Sequence, residues 1–276
     1  MIRYYMQQFF FKALLKILRQ LFNEEFLDSY FKPYLWKYIV KSQNNNKESE
    51  LLHQIAEKNI IDPSFIEFGY GSYELNCEVL IKKNFKGLLI DGSKKEVVNS
   101  TKVAQVNNFN KLQSTQHMIT LNDLGPIPKF LNANDGKLGV LSVDIDGNDY
   151  FILKKILSTI KPELIIAEHN SSFGPERSIS VAYDEEFDRA KKHSSGFYHG
   201  ASLKAFCNLL LPKYRFVDNI AGVNLFFLRQ DKYKLIYGEK NNIEAFFVEN
   251  EFRKKNSQLS SKQQFELISD LSFEEV

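Results

Sequence analysis

Four stretches hold the residues whose types and spacing suit chemistry at a bound ligand. In Phe65-Ile-Glu-Phe-Gly-Tyr-Gly-Ser72 an apolar strand runs into Glu67, Gly69 and Gly71, ahead of a helix expected over Tyr73–Lys83. Two glycines at a strand-to-helix turn let the backbone approach a ligand and aim free N–H groups at it. Asp91, in Leu88-Leu-Ile-Asp-Gly-Ser93, follows Gly71 by 20 residues and ends the next strand. An acid there accepts hydrogen bonds from both hydroxyls of a ribose. Singly, the glycines also suit a tight turn and Asp91 a strand-end cap; jointly they point to a nucleoside. The third glycine of a dinucleotide fingerprint is absent.

The third stretch, Val140-Leu-Ser-Val-Asp-Ile-Asp-Gly-Asn-Asp149, puts Asp144, Asp146, Asn148 and Asp149 at the end of another strand. Ligands bind outside the carboxyl ends of strands in open α/β sheets. Asp144 and Asp146 share a face if the strand continues that far. The fourth, Ala167-Glu-His-Asn-Ser-Ser172, ends the neighbouring strand, so Glu168 and Asn170 are expected to converge with the two aspartates. Such oxygen ligands suit Mg²⁺; equally, Asp144 and Glu168 would cap helices or orient a ligand without metal. His199 and His169 are the candidate bases, because imidazole titrates near neutral pH. His199 sits in the loop Gly196–Leu203, where a histidine can also simply be exposed. Residues 171–178, running on to Tyr183, form a long connection of the kind that makes lids and substrate walls. Arg177 there suits either an anionic substrate group or a surface salt bridge.

These residues need a sheet to position them. Apolar runs at Ser64–Phe68, Gly87–Ile90, His117–Thr120, Leu138–Val143 and Glu163–Ala167 alternate with helical patterns, implying βαβ units and parallel strands. Tyr214–Asn219 and Val223–Leu228 are separated only by Ile220-Ala-Gly222, which permits a hairpin but no crossover helix. The first 22 residues lack any acid and read as an amphipathic helix. Gln8, Lys12, Lys16 and Arg19 lie on one face, and Phe10, Leu14, Ile17, Leu18 and Leu21 on the other. Its charges interrupt both a membrane span and a leader. It packs on the chain's core or a second copy, or lies on an anionic membrane; Phe9, Phe10 and Phe11 mark a surface that something must bury. Ser42–Ser49 reads as a loop, Glu50–Asn59 as a helix, and the polar segment after Lys240 as a partly ordered extension.

Composition agrees with a folded α/β protein. The chain has 276 residues, 43% hydrophobic and 25% charged, with a net charge of +2. Nothing favours nucleic acid. Two cysteines, Cys77 and Cys207, are too few for a disulfide framework and fit buried thiols in a reducing, cytoplasmic compartment. The 24 Phe and 13 Tyr fit a large aromatic core, or an aromatic surface for a membrane or ligand.

Glu67-Phe-Gly69-Tyr-Gly71, Asp91, the Asp144 motif and the final hairpin resemble a class I S-adenosylmethionine-dependent methyltransferase. The runs VDIDGNDY, EHNSSFGP, HGASL and GVNLFFLR are similar to poorly characterised bacterial proteins distantly like the FkbM-like methyltransferases. The resemblance covers about residues 60–229. It implies a Rossmann-like α/β sheet of seven strands, the last pair an antiparallel hairpin, with an N-terminal helical extension. Residues 1–59 would form a helical cap, 60–238 the methyltransferase domain and 239–276 a polar extension. Glu67, Gly69 and Gly71 would hold the methionine side of S-adenosylmethionine, Asp91 its ribose, and Asp144 the region of the sulfonium and amino group. By analogy with metal-dependent relatives, Asp144, Asp146 and Glu168 would be the nearest matches to Mg²⁺ ligands. The expected reaction is methyl transfer to an oxygen of a sugar, glycan or other small molecule, with His199, or else His169, taking the proton. Two other readings are a non-catalytic binding or scaffold protein on this fold, and a membrane-peripheral enzyme acting on a lipid-linked glycan. A homo-oligomer is compatible with either.

Overall fold

A computed structural model describes residues 2–40, 47–211, 213–239 and 243–276, but not the side chains of residues 2–9, Lys12, Glu25 and Ser29. The expected positions Gln8, Phe9 and Lys12, and residues 42–46 of the expected loop, therefore lie outside the described side chains or residues.

Among the described residues nine strands form in chain order: β1 Ser64–Phe68, β2 Lys86–Asp91, β3 Leu112–Gln116, β4 Val140–Val143, β5 Leu164–Glu168, β6 Ile179–Val181, β7 Tyr214–Ile220, β8 Asn224–Arg229 and β9 Phe273–Glu275. Seven make one sheet in the order β3-β2-β1-β4-β5-β8-β7. The pairs among β1 to β5 are parallel, and β8 runs antiparallel to both β5 and β7. This is the seven-stranded sheet that the resemblance implies, with its hairpin at one edge. The central strands β1, β4 and β5 are buried along their whole length. Sheets covered on both faces need such continuous apolar runs. One core fills one face from Ile66, Leu88, Leu141, Ile165 and Phe227. The other face buries Phe65, Leu89, Val140, Ile166 and Phe226 with Trp36.

Several elements depart from the expected ones. The third strand is Leu112–Gln116, not His117–Thr120. It is the sheet's edge, so its LQSTQ sequence stays half-exposed and carries no apolar signature. The apolar run beside it instead lines a cavity through His117, Met118 and Ile119. The helix expected over Tyr73–Lys83 shortens to Glu78–Lys82. The helix expected at Glu50–Asn59 spans Lys47–Glu57, so Lys47–Ser49 are helical, with Glu48 and Ser49 buried.

The helix Ile2–Leu21 turns Leu15 inward, with Phe11, Leu14 and Leu18 half-buried beside it, and Phe11 stacks on Tyr38. Phe10, Ile17 and Leu21 of the expected apolar face point outward, at 61%, 57% and 69% exposure. The chain thus carries two apolar strips on this helix, and its own core covers only one. The N-terminal helices also reach the glycine-bearing loop after β1. The indole N–H of Trp36 donates to the Ser72 carbonyl at 2.9 Å, and Tyr73 Oη donates to the Asp28 carbonyl.

The C-terminal segment is built into the fold. It contributes helices Glu251–Ser257 and Ser261–Glu266, and strand β9, which pairs antiparallel with β6. With residues of the long connection it closes a third, largely aromatic core of Phe173, Val181, Phe197, Tyr198 and Ile268. The scattered apolar residues Phe265, Ile268, Leu271 and Phe273 supply this packing without forming a regular stripe.

Candidate functional site

A cavity of about 580 Å³ opens at the carboxyl ends of β1, β2, β4 and β5, within the usual size of small-molecule sites. Its walls include Phe68–Gly71, Ile90–Ser93, His117–Ile119, Asp144–Asp146, Glu168, Glu185, Phe187 and Arg189. A recess of about 130 Å³ adjoins it between Glu67, Gly69, Gly71, Glu74, Asn76 and Asp144.

Gly69 has φ +73°, and a Cβ there would lie 1.3 Å from the carbonyl oxygen of Asp144. Only glycine lets β1 leave the sheet at this point. The loop offers shape rather than free donors, contrary to expectation. Gly69 N–H donates to Ile90 O, Gly71 N–H to Glu74 O, and Ser72 N–H to the Glu96 carboxylate. Tyr70 N–H donates to Asp91 Oδ2 at 3.2 Å, while Ser93 N–H donates to Oδ1 at 2.6 Å. Asp91 is thus locked at the cavity edge with one donor on each oxygen. Each carboxylate oxygen accepts more than one hydrogen bond, so a diol can still be held. Burial raises its pKa.

Glu67 reaches the recess but works mainly beneath the loop. Its oxygens accept the Asn76 and Cys77 N–H groups at 2.7 and 2.9 Å. Complete burial pushes its pKa up to about 7 despite these bonds.

β4 ends at Val143, so Asp144 and Asp146 do not share a strand face as expected. Asp144 is buried at the strand end and hydrogen-bonded to Glu168. Desolvation and the Glu168 charge push its pKa well up, and burial pushes Glu168 to about 7. Asp146 turns outward through a left-handed backbone (φ +59°) and pairs with Arg189 at 2.5 Å. Asp149 is buried, accepting Ile145 and Gly147 N–H groups, and so shapes this turn.

The two histidines separate. Side chains alternate along a strand, so His169 points away from Glu168, to Asn219 at 3.2 Å. Burial drops its pKa to about 4, and it does not line the cavity. His199 is fully buried, with Nδ1 3.8 Å from Glu168 Oε2 and Nε2 3.0 Å from Arg253 Nη2. A guanidinium only donates, so Nε2 must accept, and the single proton of the neutral ring sits on Nδ1, facing Glu168. Burial and the Arg253 charge hold the ring neutral. The Nε2 lone pair of His199 is thus engaged by Arg253. Asn170 does not join the acids either. It donates to the Phe197 and His199 carbonyls and accepts from Arg253, fixing the His199 loop. Arg177 packs over the Phe265 ring and donates to the Phe173 carbonyl, away from the cavity.

The metal expectation can be tested on the same atoms. Asp146, Glu168 and His199 offer ligand atoms within 4.8 Å of one another; Asp144 is not in that group. Mg²⁺ prefers oxygen ligands throughout. Here Asp146 is held by Arg189, and His199 cannot present a lone pair at Nδ1 while Nε2 accepts from Arg253. The arrangement does not fit Mg²⁺, so no step below runs through a metal.

Sequence reasoning missed Arg189, Phe187 and above all Arg253, which comes from the segment expected to be an extension. Arg253 lies three residues after Asn250, the residue that caps its helix, in a charged run that looks like any solvated helix.

No family model matches the chain, and no curated protein matches it. Several solved structures are distantly similar to it. The N-terminal domain of EvdMO1 with SAH bound has a TM-score of 0.43 and 10% identity, over 68% of this chain and 83% of that one. The methyltransferase domain of bacterial CtHen1-C has a TM-score of 0.40 and 13% identity, over 67% of this chain and 99% of that one. Geranyl diphosphate C-methyltransferase from Streptomyces coelicolor A3(2), in complex with Mg²⁺, geranyl diphosphate and S-adenosyl-L-homocysteine, has a TM-score of 0.40 and 10% identity, over 66% and 80%.

Proposed function

We propose that the protein is an S-adenosylmethionine-dependent methyltransferase acting on an oxygen of a sugar, glycan or other small molecule. The observation that carries this reading is one cavity with Asp91 at one end, the Gly69 cradle between, and the Asp144–Glu168 pair at the other. Asp91 would hold the ribose, Met118 and Ile119 would flank the base, and the Gly69–Gly71 loop with Asp144 would hold the methionine part. The cofactor supplies an electrophilic sulfonium methyl. The residues of the chain hold the two reacting atoms in line and take the proton from the acceptor hydroxyl. Glu168 is that base. It faces the cavity, its pKa of about 7 matches the task, and the His199 Nδ1–H faces it. The runs VDIDGNDY, EHNSSFGP, HGASL and GVNLFFLR support a relation to the FkbM-like group. Calorimetry with S-adenosylhomocysteine on the intact protein and on Asp91→Ala tests the reading. No binding by the intact protein sinks it, and binding without turnover supports a scaffold instead.

A second reading adds location. Phe10, Ile17 and Leu21, with exposed Phe22, Phe26, Tyr30 and Tyr34, leave an uncovered apolar and aromatic surface near exposed Lys16. Such a surface suits peripheral binding to an anionic membrane. Among the described residues no helix is long and apolar enough to cross one. Equal pelleting with vesicles of the intact chain and a chain lacking residues 1–22 refutes this second reading.

A further inference from the structure

Arg189, on the rim of the cofactor cavity, also lines a groove of about 470 Å³. Its walls include Arg189, Ser195, Asn250, Phe252, Arg253 and Asn256. The two arginines differ in how their charge is met. Arg189 has a counter-ion, since Nη1 pairs with Asp146 while Nε donates to the Gly196 carbonyl. Arg253 is half-buried, and it bonds only neutral groups: Asn170 Oδ1 at 2.9 Å, Ser172 Oγ at 3.2 Å and His199 Nε2 at 3.0 Å. No carboxylate pairs with it among the described residues. Glu168 and Asp146 attract it only at longer range, and Arg189 repels it. A desolvated charge without a counter-ion is costly and is relieved when an anion arrives. Ser195, Asn250 and Asn256 add hydroxyl-binding groups, and Phe252, 77% exposed, presents a ring at the mouth.

We infer that this groove is the acceptor site, and that the acceptor is a hydroxylated ring bearing a carboxylate or phosphate that the Arg189–Arg253 pair receives. The inference rests on the methyltransferase reading and narrows its substrate class. Charge-assisted hydrogen bonds of this kind separate an anionic ligand from its neutral analogue by about tenfold or more.

The test titrates glucuronate, glucose 6-phosphate and glucose separately into wild-type protein saturated with S-adenosylhomocysteine, and repeats this with Arg189→Met and Arg189→Lys. At least one anionic sugar should bind about tenfold or more tighter than glucose, and whichever leads identifies the carboxylate or the phosphate. Arg189→Met should narrow the gap and Arg189→Lys should keep most of it. If both anions bind no better than glucose, or fail to bind while S-adenosylhomocysteine binds, the inference falls and the cofactor reading stands. An unchanged gap in Arg189→Met overturns the inference too. Failure of S-adenosylhomocysteine to bind the wild type overturns both.

Discussion

Replacing Arg253 by Met tests the central contact between the C-terminal segment and the site. The substitution keeps the aliphatic stem and removes three hydrogen bonds, at 2.9, 3.2 and 3.0 Å. Asn170 Oδ1 keeps the Ser172 N–H, and Ser172 Oγ keeps Gln264, so those two losses cost about 1 kcal/mol each. His199 Nε2 loses its partner inside the protein, a penalty of about 1–3 kcal/mol. Relief of the desolvated guanidinium returns part of this, leaving a net loss of about 2–4 kcal/mol. Urea denaturation of both proteins measures it. The substitution has a second signature: without the cation beside it the His199 pKa should rise, and the ring should no longer be held to one tautomer. In the wild type, ¹⁵N NMR should show the His199 proton on Nδ1, with Nε2 a bare acceptor. A proton on Nε2 would refute the assignment of both His199 and Glu168, and equal stability of the two proteins would refute the energetic argument.

Further outcomes can be checked. Gly69→Ala forces a left-handed alanine against a backbone carbonyl, so S-adenosylhomocysteine binding by calorimetry should be lost, with a lowered melting temperature. For the wild type, kcat/KM should rise with pH to a plateau above about 7 as Glu168 loses its proton, and Glu168→Gln should remove most of the activity together with that limb. Glu67 is protonated more readily in the folded than in the unfolded chain, so its contribution is present at low pH and lost as pH rises from about 4.5 through about 7. Glu67→Gln should therefore gain about 3 kcal/mol relative to wild type between pH 4.5 and 8 in urea titrations. Trp36→Phe deletes the bond to the Ser72 carbonyl and should cost about 1–2 kcal/mol.

The parallel strands and the closing hairpin were legible because buried strands need unbroken apolar runs, and only four to seven residues had to be right in each. The edge strand β3 was not, since half-exposed LQSTQ obeys no apolar rule. Asp91, Gly69 and Asp144 could be placed from spacing because the strand ends themselves position them. The roles of His169, His199 and Arg177 could not be read, since each depends on a partner fifty or more residues away: Asn219, Arg253 and Phe265. Arg253 gave no signal at all, because a lysine- and arginine-bearing helix turn looks alike whether it faces water or a buried imidazole.

The pairing of β9 with β6 and the seating of Arg253 on His199 also set an order of events during synthesis. A nascent chain that has emerged only as far as Asn250 already holds every strand of the main sheet, together with Asp91, Asp144 and Glu168. It lacks the guanidinium that fixes His199 and one wall of the groove. Cofactor binding should therefore be acquired on the ribosome before acceptor binding, and a chain cut short at that point would occupy cofactor without using it.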